Sequence, residues 1–192
     1  MKIILASQSP RRRELLGQMG IREFTIRPAK GEEDMALALE PRELARKLAL
    51  DKACEIAVET GRDELVIAAD TIVTLDGQVL GKPRSEEEAF QMLRKLSGKT
   101  HVVYTGVAVI CNNRVVSEAE GTEVCFRALS EEEIRAYIAT GEPMDKAGGY
   151  GIQGLGALLV EGIRGDYFNV MGLPVCRLGQ ILRSFGVKVL SY

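Results

Sequence analysis

The chain has 192 residues, and 25 Lys and Arg stand against 27 Asp and Glu, which gives a formal net charge of −2. This balance argues against a general nucleic-acid-coating protein, which would need net positive charge. The length suits one large α/β domain or two small lobes, and we predict a single domain over residues 1–192. The four cysteines show no CxxC pair or metal-ligand spacing, so we expect reduced core residues in a cytoplasmic protein. The sequence contains no apolar run of 18 residues, so we expect no membrane span.

The chain begins with a short apolar run, residues 3–6, that turns directly into a helix. Ser9 is a good N-cap, and Pro10 suits the first helical position because its missing N–H costs nothing there. Three arginines follow at positions 11–13, although the helix dipole favours anions in the first turn. This arrangement predicts an anion site, with a polyphosphate as the natural ligand. The alternative is a solvated basic turn.

Two features of the next segment allow more than one interpretation. A short strand near residues 24–27 precedes a glycine-led acidic loop at 31–34. The residues alone favour a solvated turn there, and a divalent cation bound by hard oxygen ligands is the alternative. A long helix is predicted from Pro41 to about Thr60, and Lys52 lies on its apolar stripe. Such a lysine usually extends to solvent, whereas its alternative role is to point into a phosphate-binding cleft.

Asp70 is the most conspicuous acidic residue, because it ends an unbroken apolar run, residues 65–69, and is followed by Thr71. A buried carboxylate is costly unless it is paired, bound to a metal or at the edge of a cleft. We favour a catalytic or metal-binding carboxylate over a structural ion pair. The following Asp76-Gly77 predicts a tight hairpin, which would carry Lys82 back near Asp70. A simple Asp–Lys pair is the alternative for Lys82.

The second half of the chain contains a glycine-rich segment, residues 145–156, which matches neither GxGxxG nor the P-loop pattern. It is either a loose surface loop or a backbone that approaches a ligand closely. Within it, the amide of Gln153 can both donate and accept hydrogen bonds, as reading a base edge requires.

The order of elements predicts an α/β fold with a mixed, strongly twisted sheet flanked by helices. The remaining predicted strands are at 101–111, 114–120, 122–128, 157–163 and 187–190. The remaining predicted helices start at a capping box at Ser85 and stop at Gly98, start at a second capping box at Ser130 and end near Gly141, and start at Pro174.

Seven sequence blocks, spread in order over nearly the whole chain, resemble the Maf family of nucleoside triphosphate pyrophosphatases, in particular the branch that hydrolyses dTTP and UTP. The blocks are ASQSPRRRELL at 6–16, GEE at 31–33, AADT at 68–71, GKP at 81–83, MLRKLSGKTH at 92–101, EPMDKAGGYGIQG at 142–154 and GDYFNVMGLP at 165–174. The resemblance implies an inosine-triphosphatase-like (Maf/Ham1) architecture with a cleft between two lobes. It also implies a homodimer.

The resemblance further implies hydrolysis of a pyrimidine nucleoside triphosphate to the monophosphate and pyrophosphate with a divalent metal, Mg²⁺ or Mn²⁺. Asp70 would activate water, and Glu33 together with Asp70 would hold the metal. Substrate specificity would rest on Arg12, Thr71 and Gln153. The residues expected to contact phosphate are Ser7, Ser9, Arg12, Lys52 and Lys82.

Two alternatives to this function remain. The sister branch of the family acts on 7-methyl-GTP or CTP, and a competition assay across nucleotides separates the two branches. A nucleotide- or nucleic-acid-binding regulator of septum formation without turnover is the alternative from another class. It is disfavoured because a pure phosphate binder gains nothing from a carboxylate such as Asp70. We therefore expect a small nucleotide substrate, with no nucleic-acid or membrane partner.

Overall fold

The computed structural model describes residues 1–31 and 37–189, so Glu33, one of the predicted metal ligands, lies outside the described residues. The chain divides into two compact units built from interleaved segments. Unit 1 comprises the described residues of Met1–Asp70, Thr105–Glu120 and Gly172–Tyr192, and unit 2 comprises Thr71–Tyr104 and Gly121–Met171.

Within the described residues, seven strands form one mixed sheet in the order β2-β1-β3-β5-β6-β7, and β4 pairs with β3. The predicted α/β class with a mixed sheet and helices is therefore confirmed. The strands are β1 (Lys2–Leu5), β2 (Thr25–Ile26), β3 (Glu64–Leu75), β4 (Gln78–Leu80), β5 (Thr100–Cys111), β6 (Arg114–Phe126) and β7 (Val160–Arg164). The helices are α1 (Pro10–Gln18), α2 (Pro41–Ala57), α3 (Glu86–Leu96), α4 (Glu131–Ala139), α5 (Tyr167–Met171) and α6 (Val175–Ser184). None of these helices is long and apolar enough to span a membrane.

In unit 1, β1 runs parallel to both of its neighbours, with Leu5 opposite Ile26 on β2 and opposite Ile67 on β3. The apolar stripe of α2 is buried against β1, β3 and β5, as its spacing predicts. The contact is close because β5 carries a glycine, Gly106, where a Cβ atom would lie 2.0 Å from the carbonyl oxygen of Ala45 on α2. A residue without a side chain therefore lets the helix backbone rest directly on the strand.

Helix α2 ends at Ala57, earlier than the predicted end near Thr60. Beyond Ala57 the apolar stripe stops, and Val58 is exposed. The hydroxyl of Thr60 also donates a hydrogen bond of 2.8 Å to the carbonyl oxygen of Ala57. The side chain thus satisfies a carbonyl that a continuing helix would have used.

In unit 2, the predicted hairpin between β3 and β4 is confirmed, with Val73 opposite Leu80. Asp76 and Gly77 connect the strands with φ values of 52° and 78°, the positive values that a two-residue type I′ turn requires.

One long strand, β6, replaces the two strands predicted at 114–120 and 122–128. The two predicted strands are separated by Gly121. In the structure a Cβ atom on Gly121 would lie 2.8 Å from Cε1 of Tyr104, so the glycine admits this aromatic ring against the strand. A glycine inside a strand therefore marks close packing here and not the end of the strand.

Three further predictions were wrong in detail. The strand predicted at 157–163 starts only at Val160, because a 3-10 helix occupies Leu155–Leu159. Residues 187–189 are not part of a strand, and Leu190 lies outside the described residues. All four cysteines are free, as predicted, but none is buried: Cys54 and Cys176 are exposed, and the other two are half-buried.

Candidate functional site

The start of α1 brings together three of the predicted phosphate-binding residues. Ser9 caps the helix, and its hydroxyl accepts from the backbone N–H of Arg12. The Ser7 hydroxyl accepts from Arg12 Nη1 at 3.2 Å and from the Ser9 backbone N–H at 3.2 Å. Arg12 Nε donates to the carbonyl oxygen of Gly172 at 2.8 Å. The guanidinium is therefore oriented by a hydroxyl and by a carbonyl that belongs to a distant part of the sequence.

The electrostatics of this helix start favour an anion. No acidic residue lies in the first turn of α1, although acids are the usual partners of the helix dipole there. The first backbone N–H groups of a helix have no partner within the helix, and Arg12 adds a fixed positive charge beside them. Such a combination suits a phosphate group.

Lys52 and Asp70 form an ion pair between Lys52 Nζ on α2 and Asp70 Oδ1 on β3. The Asp70 side chain is 8% exposed and the Lys52 side chain is 19% exposed, so Lys52 does not extend into solvent. This ion pair with Lys52 is not among the predictions from the sequence, which expects Lys82 near Asp70. No feature of the sequence identifies this pairing, because the two residues lie on different elements.

The parallel pairing of β1 and β3 places Ser7 and Asp70 just beyond the same end of the ladder between these two strands. Leu5 is opposite Ile67, and both strands run in the same direction towards Ser7 and Asp70. The carboxyl end of parallel strands is where ligands usually bind in α/β folds. Within unit 1, the described residues therefore place an oriented arginine, two hydroxyls and a buried Lys–Asp pair beyond the carboxyl end of the β1–β3 ladder.

Three of the predicted site residues, Thr71, Lys82 and Gln153, belong to unit 2. Thr71 is half-buried and follows Asp70 along β3, and Lys82 is exposed just beyond β4. The backbone N–H of Gly148 donates to the carbonyl oxygen of Gly81 at 2.9 Å. This bond holds the glycine-rich segment against the end of the hairpin, next to Lys82.

Gln153 is exposed in a short turn of that glycine-rich segment. The turn is closed by a hydrogen bond of 3.3 Å from the backbone N–H of Gly154 to the carbonyl oxygen of Gly151. The neighbouring Ile152 is 8% exposed and anchors the turn. The alternative of a loose surface loop is therefore wrong.

Sequence reasoning missed two residues that hold this turn, Tyr137 and Glu142. Burial raises the pKa of Tyr137 above its ordinary value, so the phenol stays protonated. Burial by itself would raise the pKa of Glu142, but hydrogen bonds from Gly156, Leu155 and Tyr137 outweigh it and lower that pKa overall. Glu142 lies shortly before the glycine-rich segment, and this position could have identified it as a residue that binds the segment.

The family resemblance implies a divalent cation, and the chemistry of the available donors is compatible with one. Within the residues that the structure describes, no group of three or more His, Cys, Asp or Glu side chains could hold a metal ion. Mg²⁺, however, is usually held by only one or two carboxylates, waters and substrate phosphates. Asp70 is a hard oxygen donor of the required kind.

Comparison with known proteins identifies the family of this chain. The family model described as Maf-like protein matches residues 2–185. A dTTP/UTP pyrophosphatase from Bacillus cereus (strain ZK / E33L) is 52% identical over 188 residues, which cover 98% of this chain and 97% of the relative. A dTTP/UTP pyrophosphatase from Bacillus thuringiensis subsp. konkukian (strain 97-27) is 51% identical with the same coverage.

A solved structure shows the same fold. The structure of a HAM1 protein from Coxiella burnetii superposes with a TM-score of 0.55 at 17% identity, covering 96% of this chain and 99% of that chain. The fold is thus shared with Ham1 proteins, as the family resemblance implied. Because the family model spans almost the whole sequence and relatives match at about half of all positions, the chain belongs to the Maf family.

Proposed function

We propose that this protein hydrolyses dTTP and UTP to the nucleoside monophosphate and pyrophosphate. The observation that carries the proposal is the identity of 51–52%, over nearly full length, with relatives named dTTP/UTP pyrophosphatase. The contacts of Ser7, Arg12, Lys52 and Asp70 support it, because they combine phosphate-binding groups with a buried carboxylate at one edge of the sheet.

In this proposal the cationic side chains neutralise the triphosphate. A nucleoside triphosphate carries about four negative charges, and a nucleophile cannot approach until they are compensated. Arg12, Lys52 and Lys82 supply positive charge, and Ser7 and Ser9 supply hydroxyl groups at the helix start. Electrostatic stabilisation of this kind is typically the largest catalytic contribution in phosphoryl transfer.

Asp70 acts as the general base and takes a proton from the water that attacks the α-phosphorus. Glu33 and Asp70 would hold a divalent cation, Mg²⁺ or Mn²⁺, which supplies further charge neutralisation when bound. Gln153, Thr71 and Arg12 select the base. We further propose a cytoplasmic homodimer that clears non-standard nucleotides and has no nucleic-acid partner, and the net charge of −2 supports the last point.

Product analysis in oxygen-18 water tests this function. The purified protein is incubated with Mg²⁺ and, separately, with each standard ribo- and deoxyribonucleoside triphosphate and 7-methyl-GTP. We expect the highest kcat/KM for dTTP and UTP, with the label in the monophosphate because water attacks the α-phosphorus. A preference for GTP, ATP, CTP or 7-methyl-GTP, or label in pyrophosphate, would overturn the proposal. The requirement for a divalent metal is tested separately. We expect EDTA to abolish turnover and added Mg²⁺ or Mn²⁺ to restore it.

A further inference from the structure

Tyr137 on α4 connects this helix to the start of the turn that carries Gln153. Its ring is 5% exposed, and its hydroxyl donates to Glu142 Oε1 at 2.8 Å. The same hydroxyl accepts from the backbone N–H of Gly151 at 3.1 Å. The first residue of the turn is therefore bound to a rigid, buried side chain.

Glu142 binds the chain on the other side of the turn. Its Oε2 accepts from the backbone N–H of Leu155 at 2.9 Å, and its Oε1 accepts from that of Gly156 at 3.0 Å. With the bond from Tyr137, one carboxylate accepts three hydrogen bonds. Bonds to a charged acceptor are stronger than those between neutral groups.

The glycines of the segment allow these contacts. A Cβ atom on Gly154 would lie 2.4 Å from Glu142 Oε2, and one on Gly156 would lie 2.7 Å from the Tyr137 hydroxyl oxygen. A Cβ atom on Gly156 would also lie 2.5 Å from the carbonyl oxygen of Gly151. A side chain at either position would therefore displace Glu142, Tyr137 or the backbone at Gly151.

Gln153 lies between these two attachments, in the turn from Gly151 to Gly154. Ile152 points into the protein and Gln153 is exposed, so the turn presents a single amide side chain. An amide that is held in position before a ligand arrives discriminates better than a mobile one, because less conformational freedom is lost on binding.

We infer that Tyr137 and Glu142 are positioning residues that hold the turn of Gln153 and thereby set the discrimination between uracil and cytosine. This inference rests on the proposed function, in which Gln153 contacts the base. Neither residue needs to contact the nucleotide, since both act through the backbone at Gly151, Leu155 and Gly156.

Two conservative variants test the inference. Tyr137→Phe removes the hydroxyl and keeps the ring, while Glu142→Gln keeps the shape and removes the charge and one acceptor. Glu132→Gln is the matched control, because Glu132 is exposed on α4, the helix that carries Tyr137. We expect the ratio of kcat/KM for UTP to that for CTP to fall about tenfold in both variants, the effect of losing one well-oriented hydrogen bond. The control should keep the wild-type ratio.

A second measurement does not depend on activity. Amide hydrogen exchange at Leu155 and Gly156 should accelerate in Glu142→Gln, because the carboxylate that accepts from these groups is altered. Circular dichroism checks that each variant is folded. If one variant fails to fold, the inference is tested with the other variant.

Combination with Gln153→Ala separates positioning from general destabilisation. In the Gln153→Ala background, Tyr137→Phe and Glu142→Gln should cause no further change in the UTP/CTP ratio. A wild-type ratio in both single variants, or an equal loss of kcat/KM for UTP and CTP, would overturn the inference. If the wild-type protein itself does not prefer UTP, the proposed function fails. Suppose that the wild-type protein prefers UTP and that Gln153→Ala abolishes this preference. If Tyr137→Phe and Glu142→Gln then keep the wild-type UTP/CTP ratio, the inference fails and the proposed function stands.

Discussion

Arg12 Nε donates a hydrogen bond of 2.8 Å to the carbonyl oxygen of Gly172, a residue 160 positions later in the sequence. Gly172 has a φ of 110°, a value that side-chain-bearing residues rarely adopt. Nη1 of the same guanidinium donates to the Ser7 hydroxyl. Nε and Nη1 are therefore held by two segments that are far apart in the sequence. The orientation of Arg12 thus requires a planar guanidinium with several N–H donors, which positive charge alone does not provide.

We predict that Arg12→Lys lowers kcat/KM for UTP by about ten- to a hundredfold, the cost of losing a hydrogen bond from a charged group. Lysine keeps the positive charge, but its single ammonium cannot reproduce the fork that reaches Ser7 and Gly172. Steady-state kinetics measures the effect. Arg13→Lys is the control, because Arg13 is exposed in the same helical turn. Equal activity of the two variants would contradict the orientation argument.

Asp70→Asn should reduce kcat by about 10²–10⁴, the usual range for loss of a general base. The substitution keeps the side-chain volume and retains every cationic group, although it breaks the Lys52–Asp70 ion pair and removes a proposed metal ligand. Nucleotide affinity measured by calorimetry without added metal should therefore persist. Asp51→Asn is a suitable control, because Asp51 lies beside Lys52 in the sequence and forms an exposed pair with Lys47. Normal turnover by Asp70→Asn would show that another group activates the water.

His101, the single histidine of the chain, is 1% exposed, and burial lowers its pKa to about 4. Its ring contacts Phe126 and Tyr150, and Nε2 is 2.7 Å from the Tyr150 hydroxyl. The folded protein therefore keeps the imidazole neutral, whereas the unfolded chain binds a proton at the ordinary pKa of about 6.5. The stability from this residue is complete above about pH 6.5 and is lost as the pH falls towards 4.

We therefore predict that the free energy of unfolding of the wild type falls by about 2 kcal/mol more than that of His101→Gln between pH 7.5 and pH 5. Urea unfolding at the two pH values measures this difference. Carboxylates contribute to both proteins equally, so the comparison isolates the imidazole. Parallel pH dependences would mean that His101 is already accessible to protons in the folded state.

Gly106→Ala should destabilise the protein by about 1–3 kcal/mol or more, the usual cost of overpacking. The new methyl group would lie 2.0 Å from the Ala45 carbonyl oxygen, so α2 would have to move away from β5. Gly17→Ala serves as the control, because a Cβ atom there meets nothing within 4 Å and lies inside α1. We expect that control to be neutral or stabilising in thermal unfolding, since alanine favours helix. Similar melting temperatures for Gly106→Ala and the wild type would show that α2 adjusts without cost.

Local chemistry determined those features that the sequence predicts correctly. Ser9 and Pro10 mark the start of α1, and Asp76-Gly77 marks the hairpin, because each acts through its own backbone and its nearest neighbours. The unbroken apolar run before Asp70 likewise predicts a buried strand. The family resemblance added the predicted site residues, because the matching blocks extend over almost the whole chain.

Contacts between distant residues were decided only by the tertiary structure. The ion pair of Lys52 with Asp70 is not predicted from the sequence, because it depends on the packing of α2 on the sheet. From the sequence, two strands are predicted on either side of Gly121, whereas one strand passes through this residue and the Tyr104 ring packs against it. A loose loop is one of two alternatives for the glycine-rich segment, whereas Glu142 binds its backbone. The physical reason is the same in each case. A glycine or a lysine has many locally allowed roles, and the role it takes depends on which atoms the fold brings within 3 Å of it.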